Sequence, residues 1–254
     1  MNCQQYLSRS DIEDGLRELG VQPGMELLVH SSLSSFGSVE GGAGTVIEAL
    51  LSSVGSDGTI VVPTLTGSEA LGPENPPFFD PLRTPCWTGR IPETFRQRDD
   101  AVRSLHATHS AAAIGASAEE LTGRHIDSVT PCDEHSPYGL LAGKPSAYIL
   151  LIGVGHESNT TMHHIEELAG VQYHLQQELT ASTIRTTDGD VTRHIVLHRY
   201  GTDRRFSVVE EVLEERGIQR SGCIGAARLR LIHTPRFVET VYRLVRADPY
   251  FLCA

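Results

Sequence analysis

Histidine is the residue type whose distribution in this chain first suggests chemistry. The sequence holds 12 His, and Lys144 is the single lysine among its 21 Lys and Arg residues. An imidazole titrates nearest to neutral pH of all side chains, so it suits general-base catalysis. Eight of the histidines fall at the ends of predicted elements or in loops, where sites are built: His30, His106, His109, His125, His135, His156, His163 and His164.

Two adjacent histidines, His163 and His164, lie on a helix predicted over residues 161–168. Successive residues of a helix point about 100° apart, so both rings cannot face one pocket and one of them is expected to be structural. His163 shares a helix face with Glu166 and Glu167, so a carboxylate could orient its ring or stabilise its charge. This pattern makes His163 a candidate base.

A loop rich in Ser and Gly, residues 29–45, connects a predicted strand to a predicted helix. Small residues let backbone N–H groups approach a ligand closely, and free N–H groups at a helix start attract anions. The loop therefore indicates a site for a pyrophosphate or an oxyanion. It has no Lys after its glycines and no Gly-x-Gly-x-x-Gly pattern, which disfavours ATP and NAD as ligands.

A zinc site and a nucleophilic site are weaker alternatives. His106, His109, His163 and Glu167 could supply zinc ligands, but their spacing does not match His-Glu-x-x-His or another compact zinc pattern. No Gly-x-Ser-x-Gly motif occurs. The cysteines are scattered, which argues against a disulfide framework, a Cys-rich zinc site or an activated thiol, and predicts reduced thiols: Cys3, Cys86, Cys132, Cys223 and Cys253.

The elements that must position these residues follow an α/β rhythm. Strands predicted at residues 26–30 and 58–63 flank a helix at 45–51, and a right-handed β-α-β crossover implies parallel strands. A capping box at Ser10–Glu13 and a stop at Gly20 predict a first helix. Residues 66–88 carry five prolines and predict a long irregular segment without helix or strand, the expected rim of a cleft.

Further elements are predicted along the rest of the chain. Asp188-Gly189 indicates a hairpin between residues 183–186 and 191–197. The remaining predicted strands lie at 110–114 and 148–153, and the remaining helices lie near 92–95 and at 116–121, 205–215 and 235–246. Because no repeat or linker marks a boundary, we expect one domain over residues 1–254.

Composition and charge exclude several classes of protein. The chain is 39% hydrophobic and 21% charged, with a net charge of −11, which is typical of a globular protein and disfavours a nucleic-acid partner. Its longest apolar stretch, residues 148–154, is shorter than the about 20 residues of a membrane span. Residues 1–5 lack the features of a secretory signal, so we expect a cytoplasmic location. The acidic balance suits a cationic small-molecule partner.

Several motifs, taken in order, resemble the aminoglycoside 3-N-acetyltransferase family, and the resemblance runs nearly from end to end. The block that ends at His163 is the most specific, and the Ser/Gly loop is the next. The motifs are VHSSL at 29–33, GSVEGG at 37–42, VPTLT at 62–66, RSLHATHS at 103–110, SPYG at 136–139, LIGVGHESNTTMH at 151–163 and DPYFL at 248–252.

The resemblance implies a single three-layer α/β/α domain with a central mixed sheet, distinct from the commoner GNAT acetyltransferase fold. It implies acetylation, by acetyl-CoA, of the 3-amino group of the 2-deoxystreptamine ring of aminoglycoside antibiotics. His163 matches the family's catalytic base. The loop and the 103–110 stretch would hold the pantetheine and pyrophosphate of CoA through His30, Ser31, Ser32, Leu33, Ser34, Gly37, Val39, Arg103, His106, His109 and Ser110.

This chain departs from the family pattern at three places. Ala107 replaces a usual Pro, and residues 132–135 replace a usual Phe-Gly-Glu. His198 stands where some relatives pair a Glu with the catalytic His, with Asp203 a little beyond, so Glu166 and Glu134 are candidate replacements for that partner.

The residues and the resemblance together predict direct transfer in a ternary complex without a metal, because no activated thiol or serine argues for an acyl-enzyme. His163 would deprotonate the amine, and backbone amides of residues 31–34 would stabilise the oxyanion. Asp80, Glu134 and Glu166 would receive the ammonium groups of the sugar. Alternatives are a same-family enzyme acting on a non-antibiotic amine, a zinc hydrolase, or a CoA-binding protein without catalysis; a monomer or homodimer is expected.

Overall fold

The computed structural model describes residues 6–254 of the chain. Within that range the helices are α1 (Arg9–Leu19), α2 (Ala43–Val54), α3 (Arg90–Arg96), α4 (Ala118–Gly123), α5 (Pro137–Ala142), α6 (Thr161–Ala169), α7 (Glu210–Glu215) and α8 (Thr234–Ala247). The strands are β1 (Glu26–Ser31), β2 (Thr59–Pro63), β3 (Phe78–Phe79), β4 (Val102–Arg103), β5 (Ala111–Gly115), β6 (Ala147–Ile152), β7 (Leu175–Thr186), β8 (Gly189–His198), β9 (Gln219–Ile224) and β10 (Ala227–His233).

A seven-stranded sheet forms the centre of the fold, in the order β4-β5-β2-β1-β6-β10-β9. Strand β1 is parallel to both β2 and β6, and the remaining pairs of this sheet are antiparallel. The parallel β1–α2–β2 unit agrees with the β-α-β rhythm of the sequence. The expected α/β fold with a central mixed sheet is therefore confirmed.

The sheet separates two hydrophobic cores, because successive side chains of a strand point to opposite faces. Leu27 and Val29 of β1 pack with residues of α1, α2 and α3 on one face. Leu28, between them, packs with residues of α5, α6 and α8 on the other. Burial on both faces explains why β1 and β6 are nearly continuous apolar runs.

A smaller sheet, in the order β3-β7-β8, carries the predicted hairpin. Strands β7 and β8 are antiparallel, and Gly189 after the turn has φ 120°, a conformation that favours glycine. Strand β3 pairs with β7 through Phe78–Thr183 and Phe79–Ile184. The prediction that residues 66–88 contain no strand is therefore wrong at one short pairing, which neither proline content nor periodicity indicates.

Other elements differ from the sequence predictions. The first helix is capped by Ser8 and not by Ser10, because it begins at Arg9, and its capping box pairs Ser8 with Asp11. Strands β4, β9 and β10 and helix α5 were not predicted. Strand β10 pairs antiparallel with β6 from Leu229–Ile152 to His233–Tyr148, so it completes the sheet beside the strand that leads to α6.

The described residues, 6–254, contain four of the cysteines. Cys86, Cys132, Cys223 and Cys253 are free thiols. No helix within these residues has the length and apolar character to cross a bilayer. Residues 1–5, on which the absence of a secretory signal was judged, and Cys3 among them, lie outside the described part of the chain.

Candidate active site

A cavity of about 230 Å³ lies at the carboxyl ends of β1, β2 and β6. These strands are parallel neighbours, and ligands of open α/β sheets bind at this edge of the sheet. Trp87 and Thr88, at the end of the proline-rich segment, lie in its wall, as expected of a cleft rim. The full lining is Val29, His30, Ser31, Pro63, Leu65, Trp87, Thr88, Pro92, Val154, Glu157, Ser158, Asn159, Thr160 and His163.

His163 reaches this cavity from the first turn of α6, and its side chain is 20% exposed. Its Nδ1 lies 2.7 Å from Oε2 of Glu166, one helical turn along the same face. Burial lowers the pKa of His163, and the hydrogen bond to Glu166 opposes that effect in part. Because an ionised carboxylate fixes the proton on Nδ1, the lone pair of Nε2 is available to accept a proton.

Glu166 is fully buried and binds three donors. Its Oε2 lies 2.7 Å from His163 Nδ1 and 3.0 Å from His174 Nδ1, and its Oε1 accepts a hydrogen bond of 2.8 Å from Arg204 Nε. Burial alone would raise the pKa of Glu166, but the hydrogen bonds from the two imidazoles outweigh it and hold the pKa well below its usual range. The predicted role of Glu166 as a ligand for the sugar is therefore corrected, because its oxygens are occupied inside the protein.

His164 and His198 take different positions around this pair. His164 is buried and its Nδ1 lies 2.7 Å from Cys132 O, so one of the two adjacent histidines is structural, as expected. His198, at the end of β8, lies with its ring 4.8 Å from that of His163. Burial and the neighbouring imidazoles lower the pKa of His198 to about 2. A neutral ring cannot supply negative charge, so the carboxylate partner of His163 is Glu166.

The Ser/Gly loop contributes its first two predicted residues to the cavity. His30 and Ser31 line the wall, whereas Ser32, Leu33, Ser34, Gly37 and Val39 do not. The N–H of Ser32 donates to Ile152 O at 2.9 Å, which ties the loop to β6. This amide therefore has a partner within the protein, and stabilisation of the oxyanion by the amides of residues 31–34 stays a prediction.

The 103–110 stretch lies behind the cavity wall. Arg103 is buried and donates to three backbone carbonyls, those of Pro81, Thr84 and Thr64, so it holds the proline-rich segment against β2. Ser110 Oγ donates to Thr64 O at 2.8 Å. Both side chains thus have partners inside the protein, and their contacts with CoA stay a prediction.

The two histidines of that stretch are also buried. His106 Nδ1 accepts from the N–H of His109 at 3.0 Å. The ring of His109 lies 6.3 Å from that of His163, so His109 borders the base without lining the cavity. His106 Nδ1 thus bonds the backbone of its own turn, and the CoA contact of His106 stays a prediction.

The other carboxylates expected to bind the sugar lie elsewhere. Asp80 is buried and its Oδ1 accepts from the N–H groups of Leu82 and Arg83, so it closes a turn. Glu134 is exposed and does not line the cavity. Glu157, which sequence reasoning missed, is the acidic residue in the lining. Its place inside the matched LIGVGHESNTTMH motif, directly after His156, is the signal that could have found it.

Two further residues of the His163 cluster were also missed. His174 and Arg204 both bond Glu166, but they come from the loops before β7 and after β8. Neither residue stands at a helical spacing from His163. Their contact depends on how the hairpin packs against α6, so no local pattern in the sequence indicates it.

A metal site was a weaker alternative, and the structure tests its ligands. Glu167 accepts from Thr130 Oγ1 and Cys132 N, so the set of His106, His109, His163 and Glu167 does not converge. Among residues 6–254, ligand atoms of His163, His174 and His198 lie within 4.8 Å of one another, as do those of Asp133, Glu134 and His135.

Sequence and structure comparisons identify the family. The profile of the family described as aminoglycoside 3-N-acetyltransferase matches residues 28–246. The chain belongs to this family. It is 34% identical over 245 residues to aminoglycoside N(3)-acetyltransferase IV from Salmonella sp, covering 95% of this chain and 88% of that protein. It is 30% identical over 249 residues to aminoglycoside N(3)-acetyltransferase IX from Micromonospora chalcea, covering 87% of each.

The fold of the family is also shared. A mutant of aminoglycoside acetyltransferase AAC(3)-IVa, solved in complex with a gentamicin, superposes with a TM-score of 0.84 at 29% identity, covering 99% of this chain and 93% of that one. The resemblance stated from the motifs is thus confirmed, and with it the acyltransferase class of the family.

Proposed function

We propose that this protein transfers the acetyl group of acetyl-CoA to the 3-amino group of the 2-deoxystreptamine ring of an aminoglycoside, with His163 as general base. The observation that carries the proposal is His163 in the cavity wall with Nδ1 bound to buried Glu166. That contact orients the ring and leaves Nε2 as the proton acceptor, the arrangement that general-base catalysis requires. The proposed unit is a single domain spanning residues 1–254.

The proposed reaction is a direct transfer between two bound substrates. The amine enters as an ammonium ion and releases one proton to solvent, and a second proton passes from its nitrogen to His163 Nε2 during the attack. Its nitrogen attacks the carbonyl carbon of the thioester, a C–N bond forms, and the carbonyl oxygen becomes an oxyanion. Collapse of this intermediate breaks the C–S bond, and the proton held by His163 goes to the departing CoA thiolate.

Two polar groups at the end of β1 support a site for the thioester. Within residues 6–254, His30 Nε2 and Ser31 Oγ are buried and have no hydrogen-bond partner, and both residues line the cavity. A buried polar atom without a partner is costly unless a ligand completes its bonding. Burial lowers the pKa of His30 to about 3, so its ring stays neutral near pH 7. We assign these groups to the thioester carbonyl and its oxyanion.

The acceptor is proposed from charge and from the relatives. An aminoglycoside carries several ammonium groups, and the chain has a net charge of −11 with Glu157 in the cavity wall. The matched mutant of AAC(3)-IVa binds a gentamicin, and another structure of that enzyme binds apramycin. Glu157, whose Oε1 accepts from the N–H of Ser207 at 3.0 Å, is the proposed carboxylate for a substrate ammonium group through its other oxygen, in place of the predicted Asp80 and Glu134.

The test measures release of free thiol from acetyl-CoA in the presence of gentamicin or apramycin, with the acetylated product identified by mass spectrometry. His163→Ala is expected to lower kcat by at least about 100-fold, the usual contribution of a general base, while the Kd of CoA measured by calorimetry changes little. His194→Gln, on the exposed face of β8, is the control.

Each other outcome contradicts part of the proposal. Equal turnover by His163→Ala would exclude this residue as the base. Thiol release with other amines but not with aminoglycosides would identify a different acceptor. Loss of activity on treatment with a chelator would point to a metal-dependent enzyme, and thermal stabilisation by CoA without thiol release would indicate binding without catalysis.

A further inference from the structure

His174 is buried between two carboxylates. Its Nδ1 lies 3.0 Å from Oε2 of Glu166, and its Nε2 lies 3.3 Å from Oε1 of Glu167. A neutral imidazole has one N–H and could serve one of these acceptors, whereas an imidazolium serves both. Arg204 Nη2 also lies 3.4 Å from His174 Nδ1, but the contact of Nδ1 with Glu166 Oε2 is shorter, so the two carboxylate contacts together favour the protonated ring.

The two carboxylates also accept hydrogen bonds from other donors. Glu166 accepts from Arg204, and Glu167 accepts from Thr130 Oγ1 and from the N–H of Cys132. Burial alone would lower the pKa of His174, but its hydrogen bonds to Glu166 and Glu167 outweigh burial and raise the pKa. The two carboxylate contacts and the raised pKa thus both favour a protonated His174.

This cation lies directly beside the proposed base. The rings of His163 and His174 are stacked with centroids 5.0 Å apart, and both Nδ1 atoms face the same oxygen of Glu166. With His174 and Arg204 positive and Glu166 and Glu167 negative, the surroundings of His163 carry no net charge. If His174 were neutral, one uncompensated carboxylate would favour protonation of His163, and a protonated ring cannot act as a base.

We propose that His174 is an imidazolium near neutral pH that balances the Glu166–Glu167 pair and keeps His163 in its unprotonated, proton-accepting form. His174 is a positioning residue in this scheme, since it acts through His163. The inference deepens the proposed function and rests on it, because the charge state of His163 matters to turnover if His163 is the base.

The remaining groups around His163 do not provide this balance. Burial lowers the pKa of His30 to about 3 and that of His198 to about 2, and it holds the pKa of His109 well below its usual value, so these rings are neutral. The titratable and charged groups facing His163 from the surrounding elements are His30, His109, Glu166, His174, His198 and Arg204.

A metal bound by the three imidazoles is the competing explanation. His163, His174 and His198 bring ligand atoms within 4.8 Å of one another. A metal ligand must offer a lone pair, however, and both nitrogens of His174 face carboxylate oxygens. Because those contacts call for N–H donors, hydrogen bonding explains the arrangement better than metal coordination.

The test compares a neutral and a charged replacement of the same ring. His174→Gln removes the positive charge, whereas His174→Lys keeps a cation that Glu166 and Glu167 can pair. The ratio of kcat/KM at about pH 6 to that at about pH 8.5 is expected to fall about tenfold in His174→Gln, the effect of one pH unit on a single titration. In His174→Lys the ratio is expected to stay within about threefold of the unsubstituted enzyme.

A second measurement follows His163 itself. In NMR titrations, the ring proton signal of His163 is expected to titrate at higher pH in His174→Gln than in the unsubstituted protein. If this shift appears while the pH dependence of turnover is unchanged, the charge inference stands and the proposed role of His163 as base fails. Thermal unfolding checks that both variants are folded.

Three outcomes would overturn the inference. The first is a His163 titration that is unchanged in His174→Gln. The second is an equal shift in His174→Gln and His174→Lys, which would mean that packing and not charge is responsible. The third is one equivalent of zinc in the purified protein whose removal by a chelator shifts the signals of His163 and His174.

Discussion

Acid is expected to destabilise this protein through buried neutral imidazoles, and His125 is the best placed to measure the effect. The ring is fully buried, its Nε2 lies 3.2 Å from Pro131 O, and its Nδ1 lies 2.8 Å from Ser104 Oγ. The Ser104 hydroxyl oxygen accepts from Ala111 N, so its hydrogen is free to be donated to Nδ1. One neutral tautomer satisfies every contact, and a second proton on the ring would displace the Ser104 donor.

The magnitude follows from the pKa difference between the folded and unfolded chains. Burial lowers the pKa of His125 to about 3, with slight opposition from the bond to Pro131, against 6.5 for an ordinary His. At a pH between these two pKa values, His125 is protonated in the unfolded chain and neutral in the folded chain. The stabilisation is therefore complete above about pH 6.5 and falls by about 1.4 kcal/mol for each pH unit below it. At about pH 5 the loss from His125 is about 2 kcal/mol.

Other histidines add to this loss or oppose it. Burial lowers the pKa of His30 to about 3, so His30 adds a loss of the same size. The pKa of His174 is raised, so its contribution has the opposite sign, being complete below about pH 6.5 and lost as the pH rises. Since folded domains are stable by about 5–15 kcal/mol, the net loss at pH 5 is a measurable share of the total.

The assay is urea unfolding followed by circular dichroism at about pH 7, pH 6 and pH 5, which brackets the acid side of the ordinary His pKa. At neutral pH, His125→Gln is expected to have a lower free energy of unfolding than the parent, because packing is lost. Below pH 6, its free energy of unfolding is expected to fall by about 1.4 kcal/mol per pH unit less than that of the parent. His194→Gln, on the exposed face of β8, is the control and should keep the parent slope. Parallel pH dependence in the parent and in His125→Gln would refute the reasoning.

Two further predictions concern Glu166, beside the proposed base, and Gly153, the residue that follows β6. Glu166→Gln leaves Arg204 without its buried anion, and urea unfolding should show a loss of about 3–5 kcal/mol. Gly153→Ala should unfold about 1–3 kcal/mol more easily than the matched Gly170→Ala in the same assay. Both glycines have positive φ, but a Cβ on Gly153 meets the Ser35 side chain, whereas one on Gly170 meets nothing within 4 Å; equal stability of the two variants would contradict this reading.

Elements with a strong local pattern could be predicted from the sequence. Strands β1 and β6 are apolar runs because both of their faces are buried. The turn at Asp188-Gly189 could be predicted because a tight hairpin turn favours this residue pair. Strand β10 has an equally clear pattern, since Leu229 and Leu231 alternate with Arg228 and Arg230, but it was missed. Arg230 is buried, and its guanidinium donates to Glu210 and to Val154 O. Because a charged side chain is expected on the surface, the sequence does not indicate that Arg230 lies in a buried strand.

In the site too, contacts between residues close in sequence could be predicted, whereas contacts between distant residues could not. His163 and Glu166 are three residues apart on one helix, so their contact follows from helical geometry. His174 and Arg204 reach Glu166 across 8 and 38 residues of sequence from loops at either end of the β7–β8 hairpin. Arg103, a CoA contact that the family resemblance implies, bonds three backbone carbonyls, and no local pattern in the sequence indicates those bonds.

The position of Glu166 couples the proposed chemistry to the packing of the smaller sheet. Its carboxylate orients His163 from the same helix, yet a buried anion is tolerated because His174 and Arg204 bring positive charge to it. Both residues flank the β7–β8 hairpin, and the hairpin also brings His198 against the base. Loosening the hairpin would therefore remove counter-charges from Glu166 while the seven-stranded sheet kept its own cores. In the proposed mechanism the smaller sheet is thus part of the catalytic unit, because it keeps His163 ready to accept a proton.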